Sequence, residues 1–170
     1  VLYQIAALNG FVKAQGGAMN HVKPHGALYN MAASNAEMAE GIAEAVYDLN
    51  PQLLLYAMSG SKLITAGQLL GLQTASEVFA DRTYQQNGSL TAREESGAFI
   101  YEPGKAAEQV IHMVKTGMAN TIQGCSIAVN AETVCIHGDS PNVLALLKKL
   151  RESLSDHQIV VQSLKFFNNK

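Results

Sequence analysis

Three short stretches concentrate the side chains able to do chemistry. The first, His21-Val22-Lys23-Pro24-His25-Gly26, alternates polar and apolar residues. On an extended strand with a side-chain period of two, His21, Lys23 and His25 share one face while Val22 and Pro24 take the other. Imidazoles in such a place exchange protons, and an ammonium stabilises developing negative charge. The spacing H-x-x-x-H also occurs in helical zinc pairs, but Pro24 opposes a helix and His21 is not followed by the glutamate of H-E-x-x-H. On a strand the two histidines stand about 13 Å apart, too far to share one ion. The plain alternative is a core histidine satisfied by backbone.

The second stretch, Glu77-Val78-Phe79-Ala80-Asp81-Arg82, leads to Tyr84 and then Arg93. An acid and a guanidinium directly after an apolar strand suit a carboxylate or phosphate held by Arg82 or Arg93, with Asp81 as base or orienting group. A surface ion pair framing a loop is the alternative. The third stretch is Val134-Cys135-Ile136-His137-Gly138-Asp139-Ser140-Pro141. Cys135, His137 and Asp139 alternate onto one face, and Gly138 lets backbone approach a ligand closely. Asp139 or Ser140 equally suits the N-cap of a helix beginning near Pro141. His112 and His157 lie away from strand ends and read as ordinary residues.

Hydrophobic periodicity places these stretches on an alternating series of helices and strands. It predicts a helix over 2–15 ending at Gly16-Gly17, a strand over 21–25, and a helix opened by a Ser34–Glu37 capping box with Met38, Ile42, Val46 and Leu49 on one face. A buried strand follows over 53–58, then a helix over 61–71 with Leu63, Gly67 and Leu70 inward. A strand over 77–80 runs into a polar stretch, Asp81 to Gly97, longer than ordinary connections of about 4–6 residues and so functional or disordered. Ala107, Val110, Ile111, Val114 and Met118 stripe a helix starting after Glu102-Pro103. Thr133–His137 reads as a strand, Val143, Leu146, Leu147, Leu150 and Leu154 as a last long helix, and 159–164 as a final strand. Alternation with short connections implies parallel strands joined by right-handed crossovers, in a layered sheet or a barrel whose reactive groups sit at strand carboxyl ends.

The 170 residues, 48% hydrophobic and 15% charged, provide for one core, so a single domain over 1–170 is expected. A net charge of −2 gives no reason to expect a nucleic-acid partner. Neither a membrane-spanning run nor the sections of a signal peptide stand out, which predicts a cytoplasmic protein without a membrane partner. Cys125 and Cys135 are too few for a disulfide framework and read as buried thiols. Val1 is not an initiating methionine and the first helix lacks a cap, so upstream sequence is expected. Phosphate loops, dinucleotide fingerprints and serine-nucleophile elbows have no match.

Taken together, the run His21 to Asn30, the run Glu77 to Arg82 with Tyr84, Gly88-Ser89-Leu90 and Arg93, and the run Val134 to Asp139 resemble the LamB/YcsF family, the A subunits of bacterial 5-oxoprolinase. Ser59-Gly60-Ser61 stands between the first two, and the likeness covers essentially the whole chain. It implies an α/β fold, part of a seven-stranded β/α barrel related to polysaccharide deacetylases, of which this is the C-terminal portion. It further implies a cyclic amide hydrolase that opens 5-oxo-L-proline to L-glutamate, using ATP with Mg2+ in a complex with subunits B and C. Within that reading His25 and His137 are acid/base candidates, Lys23 stabilises charge, Asp81 orients a partner or activates water, and Arg82 or Arg93 holds the substrate carboxylate. His21, Tyr84 and Asp139 complete the expected substrate-binding set.

Two other readings predict different behaviour. A metal-dependent amide hydrolase or deacetylase carries a bound divalent ion, with His25 or His137 as ligand, and turns over without ATP. A non-catalytic regulatory subunit tolerates loss of the strand-end histidines. A partial barrel alone is expected to be inactive and prone to aggregate.

Overall fold

Most of the helices and strands that the periodicity predicts are present, and side-chain caps mark the starts of three of the helices. The computed structural model describes residues 1–139 and 142–164. The described residues divide into two compact units, one over 1–76 and one beginning at Glu77 and running to residue 164.

In the first unit, α1 (Leu2–Ala14) buries Ile5. Strand β1 covers only His21–Val22, not 21–25 as predicted. Pro24 has no N–H for a ladder, and His25 is already the extended N-cap residue of α2 (Gly26–Ser34), a helix that the periodicity does not signal. The start of α3 (Ala36–Leu49) is shifted by one residue from the expected capping box, because Asn35 rather than Ser34 accepts the Met38 N–H, at 2.9 Å. Such a cap contributes about 1 kcal/mol. Ala39, Ile42, Ala43 and Val46 form the buried stripe of α3, against which α1 and α2 pack.

Strand β2 (Leu54–Met58) lies parallel to β1, with His21 opposite Leu54 and Val22 opposite Leu55. Ser61 caps α4 (Lys62–Leu69) by accepting the Ile64 N–H at 3.3 Å. This helix turns Leu63, Ile64, Ala66 and Gly67 inward. Leu70, predicted inward, is 37% exposed because the helix ends at Leu69. Strand β3 (Thr74–Phe79) starts in this unit, next to β2 in the hydrogen-bonded order. Val46, Leu53, Leu55, Leu63 and Leu72 belong to the shared core.

The second unit opens on the end of β3. Glu102 caps α5 (Pro103–Thr116), its carboxylate accepting the Gly104 and Lys105 N–H groups at 2.7 Å each, with Pro103 in the first turn as predicted. Gly117, at φ +68°, ends the helix in the left-handed conformation that glycine adopts without strain. Met118 therefore belongs not to the helical stripe but to β4 (Met118–Asn120), which pairs antiparallel with β5 (Ser126–Ala128) in a hairpin the sequence does not announce.

Strand β6 (Thr133–Cys135) runs parallel to β3, with Glu77, Val78 and Phe79 opposite Thr133, Val134 and Cys135. It stops two residues before His137, earlier than predicted. The N-cap of α6 (Val143–Asp156) is Asn142 rather than Asp139, and Ser140 lies outside the described residues. Leu146, Leu150 and Leu154 are buried, α6 packs on α5, and Leu147 is 39% exposed. The predicted final strand is absent over 159–164. There the chain turns at Gln158, φ +58°, and leaves Val160 81% exposed. No helix among the described residues is long and apolar enough to cross a membrane.

Candidate active site

The chemistry gathers where β3 and β6 end side by side. Because Phe79 sits opposite Cys135, the chain leaving each strand carries Asp81 and His137 to the same edge. The Asp81 residue is 3% exposed. Its Oδ2 accepts the His137 backbone N–H at 3.0 Å, and His137 Nδ1 lies 3.0 Å from both carboxylate oxygens. Burial by itself raises the Asp81 pKa. Hydrogen bonds from the His137 ring and backbone, with the charge of the imidazole, outweigh burial and hold the carboxyl below its ordinary value. The ring lies near parallel to Phe79, with centroids 6.0 Å apart, and its side chain keeps 23% exposure. With Nδ1 engaged by Asp81, Nε2 is the ring nitrogen not bound to that carboxylate.

The polar stretch from Asp81 to Gly97 is a hydrogen-bonded loop, not an open one. Arg82, 3% exposed, donates from Nε to the Ala98 carbonyl at 3.2 Å and from Nη2 to the Thr91 carbonyl at 2.5 Å. Its guanidinium also lies 4.9 Å from the Phe99 ring centre. Burial and the charge of Arg93 lower its pKa, yet a guanidinium remains charged near neutrality. Tyr84 is buried, and its hydroxyl accepts the Phe79 N–H at 2.8 Å. Burial raises the pKa of that hydroxyl well above the ordinary tyrosine value, against the lowering effect of the bond. Arg82 and Tyr84 thus organise the loop. Arg93 is different: its side chain is 48% exposed, 5.4 Å from the Phe99 ring centre, and makes a 3.9 Å ion pair with Asp139, itself 75% exposed. Contacts of that length and exposure are weak, so Arg93 can exchange Asp139 for another carboxylate.

His21, Lys23 and His25 belong to the first unit. His21 stacks on Tyr56 with ring centroids 4.6 Å apart, and its Nδ1 lies 2.5 Å from Asn20 Oδ1. Lys23 Nζ lies 5.7 Å from the centre of the buried Tyr29 ring, and His25 is exposed. Their part in the chemistry rests on the sequence alone. Among the described residues no three His, Cys, Asp or Glu side chains converge in a way that would hold a metal ion. Cys125 is exposed rather than buried, and Cys135 is intermediate. Sequence reasoning passes over Gln109, a polar helix residue whose amide donates to carbonyls at the end of β3. A lone glutamine on α5 gives no local signal of that contact.

The chain is 53% identical over 165 residues to the 5-oxoprolinase A subunit of Geobacillus thermodenitrificans (strain NG80-2), a match covering 97% of this chain and 64% of that protein. With the 5-oxoprolinase A subunit of Bacillus subtilis (strain 168) it shares 49% identity over 164 residues, covering 96% of the chain and 64% of the relative. The crystal structure of the lactam utilization protein from Thermus thermophilus superposes with a TM-score of 0.86 at 37% identity, covering 96% of this chain and 65% of that one. The chain therefore spans 64% of the length of these curated relatives. Its parallel strand pairs and intervening helices are of the predicted β/α-barrel class. With the LamB/YcsF family matching over residues 1–169, the chain is a member of that family.

Proposed function

We propose that the chain is part of the A subunit of an ATP-dependent 5-oxoprolinase, which opens the lactam of 5-oxo-L-proline to L-glutamate together with subunits B and C. The observation that carries this reading is the Asp81–His137 pair at the strand ends of a chain whose relatives are named as A subunits of 5-oxoprolinase. A lactam carbonyl is a poor electrophile, and ATP with Mg2+, bound in the complex, supplies the phosphoryl group that activates its oxygen. Asp81 fixes the orientation of the His137 ring. Nε2 of that ring then takes a proton from the attacking water and returns one to the lactam nitrogen as the C–N bond breaks, and a second water hydrolyses the acyl phosphate so formed to glutamate and inorganic phosphate. Arg93 receives the substrate carboxylate, since Arg82 is spent on loop carbonyls. The cytoplasm, where ATP is available, is the proposed location.

The test is glutamate release from 5-oxoproline by the full-length protein with its B and C partners, with ATP or this subunit omitted in turn. Release that needs both supports the reading. Release without this subunit would assign it a regulatory part, and ATP-independent release with a bound divalent ion would favour a metal-dependent amide hydrolase.

A further inference from the structure

Phe79, Ala80, Asp81 and Arg82 are each at most 3% exposed, so the backbone groups of this turn need partners inside the protein. Neighbouring backbone supplies some of them. The Ala80 N–H donates to the Cys135 carbonyl at 3.0 Å, and the Asp81 carbonyl accepts the Ile100 N–H at 3.0 Å. Three other carbonyls converge on one side chain. Gln109 Nε2, reaching in from α5, lies 2.9 Å from the Phe79 oxygen, 2.9 Å from the Arg82 oxygen and 3.4 Å from the Ala80 oxygen. A carboxamide nitrogen has two hydrogens, so the shorter bonds use both and the longest contact is a shared, weaker one. The Tyr84 hydroxyl holds the N–H of Phe79 itself, at 2.8 Å. Asp81 therefore sits in a turn whose flanking peptides are pinned to a single nitrogen.

We propose that Gln109 is a positioning residue for the Asp81–His137 pair, its amide fixing the backbone turn that aims the carboxylate at the imidazole. The catalytic consequence rests on the function proposed above, whereas the geometric one does not. A helix-to-turn hydrogen bond of merely structural value would change stability and leave the histidine as it was. A positioning bond changes the histidine's hydrogen bond in a protein that still folds.

The experiment uses the full-length protein labelled with 15N-histidine, in which the Nδ1-bound proton of His137 is assigned by its loss in Asp81→Asn. Gln109→Leu removes the donors at similar size, and Gln109→Met does so with an unbranched chain. Variants that melt cooperatively are expected to shift or broaden the His137 signal. In the assembled enzyme they are expected to lower kcat about 10- to 100-fold, the effect of a small misplacement of a reacting group, while KM stays within about twofold. In an Asp81→Asn background the same changes should add no further loss. An unchanged His137 signal in either folded variant overturns the proposal whatever the turnover, and so does a loss that multiplies fully with Asp81→Asn. If Asp81→Asn and the Gln109 variants all leave turnover intact while the Gln109 variants still move the signal, the catalytic reading fails and the positioning of the pair stands.

Discussion

An ionised carboxylate with 3% exposure is unfavourable unless its oxygens are bonded, and Asp81 meets that condition through the ring and backbone of His137. Since its pKa is held below the ordinary carboxylate value, ionised Asp81 stabilises the fold at every pH above about 3.9, and this stability is lost as the pH falls through the lower folded-state value. Thermal melts of the full-length protein should thus show a steeper loss of Tm below about pH 4 in the wild type than in Asp81→Asn. Parallel curves would show that the carboxylate is not held by the histidine. The two arginines separate on the same reasoning. Arg93→Ala should raise KM for 5-oxoproline about 10- to 100-fold with kcat nearly kept, as expected for loss of a charged hydrogen bond to bound substrate. Arg82→Ala should instead lower Tm, because it strands the buried Thr91 carbonyl at about 1–3 kcal/mol, while the Ala98 carbonyl keeps the Thr83 N–H as a donor. The reverse pattern in the two variants would give Arg82 the ligand role.

Helix α4 packs on the sheet through Gly67, where an added Cβ would stand 2.9 Å from Thr74 Cγ2 and 3.1 Å from Leu55 Cδ2. Alanine would gain about 1 kcal/mol in helix propensity, but overpacking against a fully buried leucine costs about 1–3 kcal/mol. A net fall in Tm is expected for Gly67→Ala, and an unchanged or higher Tm would show that α4 moves freely away from β2. Elements such as α4 are readable because their signals are local and redundant: Ser61 caps it, and Leu63 and Gly67 face inward as their spacing predicts. The stripes of α3 and α6 are equally plain. Helix α2 escapes because its signal begins at His25-Gly26, inside a run that reads as a strand, and the β4–β5 hairpin escapes because Met118 also fits the repeat of α5. The predicted strand over 159–164 fails because β-branched residues there, Ile159, Val160 and Val161, find no ladder to join among the described residues.

Across the whole chain, the strand-end argument identifies Asp81 and His137 separately, whereas their union depends on β3 and β6 being neighbours, a pairing of residues 56 positions apart that neither stretch contains. The contact from Gln109 is unreadable for the same reason. The motifs that carry the resemblance are dense at those strand ends, which is why the family could be read where the hydrogen bonds could not. Since the chain spans 64% of its curated relatives, the proposed activity is best measured on a protein of those relatives' length together with the proposed subunits B and C. The decisive comparison is ATP-dependent glutamate release from 5-oxoproline by complexes containing the wild-type subunit or its His137→Ala variant, at matched assembly. Loss of an acid/base group predicts a kcat lower by about 100- to 10,000-fold in the variant. Normal turnover by a fully assembled His137→Ala complex would contradict the account.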